Sequence, residues 1–207
     1  ALDSAGSGTI GRQGNITVVN FKGTLAYNTA SSSGSGSGSM AYNTLTTNAG
    51  NQYQLVLPDG SRIWLNAASS IKFPVNFSKK ERSVEITGEA YFEVARNRKK
   101  PFRIEVNHTV VEVLGTHFNI NAYTDENRVR TTLLEGSVKV KKGNRTSTIV
   151  PGQQAEISNE SDNIAIVNDV DLEAVVAWKN GYFSFQNAGL RQIMREISRW
   201  YDVEVVY

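Results

Sequence analysis

The chain of 207 residues is long enough for one large domain or two small ones, each with its own hydrophobic core. Its 22 lysines and arginines nearly balance its 20 aspartates and glutamates, and a net charge of +2 lacks the basic field that sequence-independent nucleic-acid binding requires. Cysteine is absent, which excludes disulfides, thiolate zinc sites and cysteine nucleophiles.

The chain contains no run that approaches the roughly 18 apolar residues of a membrane-spanning helix. Its first residues have neither the basic start nor the apolar stretch of a signal peptide. It begins at Ala1 without a methionine and ends at Tyr207 within an apolar run. We therefore expect a piece of a longer protein.

Residues 1–48 form an N-terminal segment that is rich in glycine, serine, threonine and asparagine. Within it, Ser31–Ser39 (SSSGSGSGS) has the composition of a flexible linker, and we expect this tract to be mobile. The tract separates two near-copies, Leu25–Thr29 (LAYNT) and Met40–Thr44 (MAYNT). We interpret the copies as two related edge strands.

Residues 49–168 alternate between apolar and polar side chains in short runs separated by turns. This pattern predicts a mainly antiparallel β-domain, a sandwich or β-roll. In the clearest run, Ser83–Val94, Gly88 predicts a bend between two shorter strands, and Glu89 and Glu93 are predicted to face water. The predicted core includes Val84, Ile86, Phe92, Val94, Phe102, Ile104 and Phe118.

Residues 169–207 are predicted to form a small β-α-β module. Apolar residues recur at helical spacing between Leu190 and Tyr201, which predicts an amphipathic helix with Asn187 as its N-cap. Tyr182–Phe185 and Val203–Tyr207 are the predicted flanking strands. Because a lone unit of this kind cannot bury both of its faces, we expect it to dock elsewhere or to be part of a longer module.

The polar residues give no catalytic, cofactor or metal site. Glu89 and Glu93 share a strand face, but residues four apart on a strand lie about 13 Å apart, beyond the roughly 5–9.5 Å that separates glycosidase carboxylates. His108 and His117 have no further donor at metal-ligand spacing. Nucleotide-binding and hydrolase motifs are absent. The sequence therefore predicts a non-enzymatic binding or signalling module.

Two surface features leave other functions open. The basic loop Arg96–Lys100 could hold a phosphate or an acidic partner, although a solvated hairpin tip is the favoured interpretation. Trp64 and Tyr91 are predicted to be exposed and could stack on sugars. A carbohydrate-binding β-domain of a surface or periplasmic protein is therefore the alternative function.

Five motifs, in order between residues 49 and 157, resemble those of FecR-like domains. They are Leu57–Ser69 (LPDGSRIWLNAAS), Arg82–Val94 (RSVEITGEAYFEV), Pro101-Phe102 followed by Val113–Ile120 (VLGTHFNI), Leu133–Val138 (LLEGSV) and Val150–Ala155 (VPGQQA). The tail from Trp178 onward resembles the C-terminal module that follows this domain, which is similar to the signalling domains of secretins and TonB-dependent receptors. Here the module is expected to stop partway.

The resemblance implies the periplasmic sensor part of a single-pass anti-sigma factor, a regulator without cofactors. Its partner would be the signalling domain of a TonB-dependent outer-membrane transporter. A cytoplasmic domain and an inner-membrane helix, both absent from this chain, would connect the sensor to an extracytoplasmic-function sigma factor. We expect the partner to add a strand to an exposed edge of the C-terminal module. The candidate partner-binding residues are Tyr182, Phe183, Phe185, Val203 and Val205.

Overall fold

The computed structural model describes residues 8–13, 16–21, 24–29, 41–185 and 188–206. The predicted mobile tract Ser31–Ser39 and the predicted N-cap Asn187 lie outside these residues.

The described residues form sixteen strands and three short helical elements, which confirms the mainly β fold class. The first eight strands are β1 (Gly8–Gln13), β2 (Ile16–Phe21), β3 (Thr24–Thr29), β4 (Tyr42–Thr46), β5 (Tyr53–Val56), β6 (Arg62–Leu65), β7 (Ser70–Pro74) and β8 (Arg82–Glu93). The others are β9 (Phe102–Val106), β10 (Thr109–Val113), β11 (His117–Ala122), β12 (Arg128–Glu135), β13 (Val138–Lys142), β14 (Arg145–Ile149), β15 (Gln154–Ser158) and β16 (Ile164–Val167). The helices are α1 (Leu172–Val175), a 3-10 helix (Trp178–Asn180) and α2 (Leu190–Tyr201).

The strands form two sheets that share β8. The first sheet has the order β1-β2-β3-β5-β6-β8-β11-β12-β15-β16. In the second sheet, β7 joins β4 to β8, and β9, β10, β13 and β14 follow on the other side of β8. Neighbouring strands are antiparallel except in the pairs β3–β5 and β8–β9.

Strand β8 changes sheets at Gly88. Its first half pairs with β7 and β9, and its second half pairs with β6 and β11. Gly88 has a φ of +77°, and a Cβ at this position would lie 2.4 Å from the hydroxyl of Ser69. The predicted bend is therefore confirmed, and it requires glycine because of both the backbone conformation and the close contact.

Both sheets contribute to one hydrophobic core. All seven residues predicted for the core are buried in it. Phe92 lies at its centre, where its ring stacks on Phe118 with the centroids 4.9 Å apart and meets Phe102 edge-on at 6.5 Å. The alternation of apolar and polar residues therefore predicts correctly which side of these strands faces the core.

The two near-copies of the N-terminal segment both form strands, but only one is an edge. β4 pairs with β7 alone, as predicted for an edge strand. β3 instead lies inside the first sheet between β2 and β5, and its Leu25 is buried. The prediction of an edge strand at Leu25–Thr29 is wrong because β5 pairs with β3 in parallel.

Of the predicted C-terminal β-α-β module, the structure contains the helix but neither of the two strands. Residues 182–185 and 203–206 contain no strand. The backbone N–H groups at both sites bond to neighbouring helices instead, since Tyr182 donates to Ala177 and Val203 donates to Ser198. The helix α2 begins after Gly189 as its N-cap residue. Within the described residues, no helix is long and apolar enough to cross a membrane.

The variant Phe92→Ala should lower the free energy of unfolding by about 3–5 kcal/mol, because it leaves a cavity between two packed rings. Urea denaturation followed by circular dichroism measures the loss. Ile166→Ala, at a position 37% exposed on β16, is the matched truncation and should cost much less. Equal losses in the two variants would contradict the position of Phe92 in the core.

Candidate functional site

The outer face of the first sheet, which points away from the core, carries two rows of mainly polar side chains. The cross-strand register places Glu89, Asn121, Arg130 and Glu156 in one row and Tyr91, Asn119, Thr132 and Gln154 in the other. Residues 169–185 and 188–206, here called the C-terminal segment, lie over these rows. A cavity of about 360 Å³ remains between the sheet and the segment.

Glu89 is one member of a closed ring of hydrogen bonds, here called the Glu89 network. Asn66 Nδ2 donates to Glu89 Oε2 at 2.8 Å, and Asn119 Nδ2 donates to Oε1 at 2.9 Å. Trp178 Nε1 donates to Asn119 Oδ1 at 3.3 Å. Gln52 Nε2 completes the ring, donating to Asn66 Oδ1 at 2.9 Å and to the carbonyl of Trp178 at 3.4 Å. The network thus joins β8, β11 and the residues that flank β5 and β6 to the C-terminal segment.

The prediction that Glu89 faces water is wrong, since its residue is only 7% exposed. Alternation places Glu89 on the outer face correctly, but the C-terminal segment covers that face. Burial raises the pKa of Glu89, and hydrogen bonds from Asn119 and Asn66 oppose this increase only in part. Glu93, at the end of the strand, is half-buried and forms an ion pair with Arg62 at 2.9 Å.

A second attachment joins α2 to the loop that follows β11. Arg195 donates through Nε and Nη2 to the two carboxylate oxygens of Glu126, each at 3.0 Å. Arg199 donates to Asp125 at 2.8 Å and lies 3.9 Å above the ring of Tyr123. Burial would raise the pKa of Glu126, but the hydrogen bonds and charges of the two arginines outweigh it and lower that pKa. Glu126 therefore remains an ionised partner of α2.

The helix α2 thus meets the sheet with polar side chains. Gln192, Glu196 and Arg199 line the cavity. Burial raises the pKa of Glu196, which faces the same cavity as Glu89. The apolar residues at the two ends of the helix, Leu190 and Tyr201, remain exposed. The amphipathic pattern predicts the helix correctly but does not predict which side docks.

The aromatic pair proposed for sugar stacking is covered. Lys179 Nζ lies 4.9 Å from the ring centroid of Trp64 and 4.9 Å from that of Tyr91. Trp64 is half-buried and Tyr91 is buried, so the prediction that both are exposed is wrong. Burial, followed by the charge of Glu93, raises the pKa of Tyr91 to about 12. The carbohydrate-binding alternative therefore loses the feature on which it was based.

The five candidate partner-binding residues divide into two groups. Phe183 and Phe185 are half-buried, with their rings stacked 5.6 Å apart, and Phe183 also meets Trp200 at 4.8 Å. Tyr182 and Val203 are exposed. Val205 is half-buried. The structure therefore brings the two phenylalanines into one aromatic cluster with α2 and leaves Tyr182 and Val203 at the surface.

Sequence reasoning missed the Glu89 network, although its residues stand in the recognised motifs. Asn66, Glu89 and Asn119 lie in three of those motifs, and Trp178 opens the tail that resembles a separate module. The signal that could have revealed the network was the recurrence of polar residues on one strand face within these motifs. Among the described residues, no group of three or more histidine, cysteine or acidic side chains could hold a metal ion.

Comparisons with known proteins agree with this architecture. A family model described as FecR protein matches residues 43–139, and one described as FecR, C-terminal matches residues 182–207. Two crystal structures of a proposed anti-sigma factor from Parabacteroides distasonis ATCC 8503 are similar, each at 30% identity. Their TM-scores are 0.75 and 0.74, and the matches cover 79% and 78% of this chain and 76% of the other chain. No curated protein matches the chain.

The two-sheet domain, the attached C-terminal segment and these matches define a FecR-like regulatory protein. The chain belongs to the FecR family of anti-sigma factors. The resemblance of the five motifs is thereby confirmed.

The burial of Glu89 predicts a pH dependence of stability. The unfolded chain has the ordinary pKa near 4.5, and the folded protein has a raised one. The folded state therefore holds this proton more tightly, and the contribution of Glu89 to stability falls as the pH rises between the two values. Relative to Glu89→Gln, which does not titrate, the wild type should gain free energy of unfolding as the pH falls from about 8 to about 5.

Urea titrations of both proteins across this range measure the difference. The substitution also leaves an asparagine amide without its acceptor, but that cost does not vary with pH. Glu85→Gln, which removes an exposed carboxylate from the same strand, is the matched control. A difference between wild type and Glu89→Gln that stays constant over the range would contradict a buried ionisable carboxyl group.

Proposed function

We propose that this chain is the periplasmic sensor part of a transmembrane anti-sigma factor. It receives a signal from a TonB-dependent outer-membrane transporter and relays it toward an extracytoplasmic-function sigma factor. Membership of the FecR family and similarity to the proposed anti-sigma factor structures support the regulatory role. In this proposal, a membrane helix and a cytoplasmic domain outside these 207 residues connect the sensor to the sigma factor.

The observation that carries the proposal is the exposed apolar surface of the C-terminal segment. The segment is fixed to the sheet through Trp178, Arg195 and Arg199, and five of its large apolar side chains remain exposed. Clustered exposed apolar side chains are typical of protein interaction sites. In this segment they are Tyr182, Leu190, Tyr201, Val203 and Val206.

The partner would be the signalling domain of the transporter. Residues 203–206 form no strand in this structure; the N–H group of Val203 bonds to Ser198, and the residues after it would pair with an edge strand of that domain. Backbone hydrogen bonds would then provide affinity, and the side chains of Val203 and Val205 would provide specificity. Tyr182, Phe183 and Phe185 would extend the same contact surface from the other side of α2.

The attachment of the segment suggests how a bound partner would act on the β-domain. Trp178 and α2 are held through hydrogen bonds and ion pairs whose strength depends on geometry. A polar network that loses one member leaves its other buried groups unsatisfied. A partner that pulls on the segment would therefore shift the equilibrium between a docked and a released segment. That shift is the proposed signal.

The purified chain should bind the signalling domain of its cognate transporter in a pull-down and by calorimetry. Val205→Pro removes a backbone N–H group and should weaken this binding at least about tenfold. Val205→Ala keeps the N–H group and is the matched control, which should retain most of the affinity. Both variants should keep the wild-type melting temperature because residues 203–206 pair with no strand.

Two results would count against the proposal. If Val205→Pro is folded and binds as tightly as the wild type, strand addition at this site is wrong. If no signalling domain of a transporter encoded beside the regulator binds the wild-type chain, the proposed relay itself is wrong.

A further inference from the structure

The basic loop Arg96–Lys100 is not the hairpin tip that its composition suggests. It carries four cations, Arg96, Arg98, Lys99 and Lys100, and no acidic residue. It connects β8 to β9, and these two strands run parallel to each other. The loop is therefore a crossover connection whose course must be fixed by contacts other than hairpin pairing.

A buried arginine fixes both ends of this loop. Arg82 is only 1% exposed and forms an ion pair with Asp59 at 2.8 Å. Its guanidinium also donates to the carbonyl of Ala95 at 2.7 Å and to that of Lys100 at 3.0 Å. Nε and Nη1 of this buried guanidinium depend on these acceptors, so losing a loop carbonyl would be costly and the loop ends are held in one arrangement.

The middle of the loop rests on the turn between β10 and β11. Asn97 N donates to the carbonyl of Leu114 at 2.7 Å. Gly115 has a φ of +151°, and a Cβ there would lie 2.6 Å from Cα of Arg96. The backbone of the loop can therefore lie directly on this turn only because residue 115 is glycine.

Arg96 and Arg98 line a cleft of about 610 Å³ together with Lys139, which is paired with Glu112 at 3.6 Å. The two acidic residues in the cleft are already engaged: Arg103 donates to Glu112 at 2.8 Å, and His117 pairs with Glu135 at 3.0 Å. Arg96 and Arg98 have no ion-pair partner in the part of the chain that the structure describes. The hydroxyl-bearing residues Thr116, Ser137 and Thr148 complete the polar lining.

We propose that this cleft is an anion site that binds a phosphate group, carried either by a free ion or by a lipid headgroup. Two guanidinium groups on one fixed loop present paired donors that match phosphate oxygens. Because the backbone of the loop is held before the ligand arrives, binding has to order only the exposed arginine side chains. The site is separate from the C-terminal segment, and its test does not depend on the transporter.

Binding is measured with two probes on the wild-type chain. Inorganic phosphate is titrated by calorimetry, and vesicles of phosphatidylglycerol mixed with phosphatidylcholine are tested by co-sedimentation at low ionic strength. Saturable binding of either probe supports the site. Binding of the vesicles alone identifies a lipid headgroup as the source, and binding of inorganic phosphate identifies a free ion.

The double variant Arg96→Gln/Arg98→Gln should weaken binding about fivefold for each arginine, since one basic residue near an anionic surface contributes about 1 kcal/mol. Lys79→Gln/Lys80→Gln removes the same charge from a neighbouring exposed turn outside the cleft and should have a much smaller effect. All four side chains are exposed, so both variants should keep the wild-type melting temperature. Failure of both probes to bind the wild type, or equal weakening in the two variants, would overturn the proposal.

Discussion

The two sheets share β8, and the bend of this strand at Gly88 is the constraint that joins them. The positive φ and the close approach of Ser69 leave no room for a side chain at this position. The first half of β8 is thereby directed into the second sheet and the other half into the first. One consequence is that Phe92 meets Phe102 and Phe118 in a common core. A second consequence is that Glu89, the residue after the bend, lies on the outer face of the first sheet, which the C-terminal segment covers.

The Glu89 network links the bend to the C-terminal segment. A buried carboxylate is costly in isolation, and here both of its oxygens accept hydrogen bonds from asparagine side chains. Asn119 accepts a hydrogen bond from Trp178 of the C-terminal segment. The ion pairs of α2 with Asp125 and Glu126 form a second attachment. The hydrogen bonds and ion pairs of this contact depend on geometry, and Ala177 and Trp178 are buried beside them. In the proposed relay, the segment separates from the sheet while the core stays folded.

Local patterns in the sequence predict the mainly β character of residues 49–168, the seven core residues, the bend at Gly88 and the helix α2, because each depends on neighbours in the chain. Features that depend on contacts between residues far apart in the sequence could not be predicted. Glu89 is buried because residues far along the chain cover its face, and β3 is internal because β5 pairs with it in parallel. The network residues could be recognised as motif members, but their partner Trp178 lies 59 residues from Asn119.

The Glu89 network holds the C-terminal segment on the sheet, and hydrogen exchange of the variant Trp178→Phe is the sharpest test of this role. This substitution keeps an aromatic ring and removes the N–H group that bonds to Asn119. We expect the amides of α2 to exchange about five- to tenfold faster, the equivalent of one lost hydrogen bond, while those of β11 keep their protection. Unchanged exchange in α2, with the variant folded, would contradict the claim.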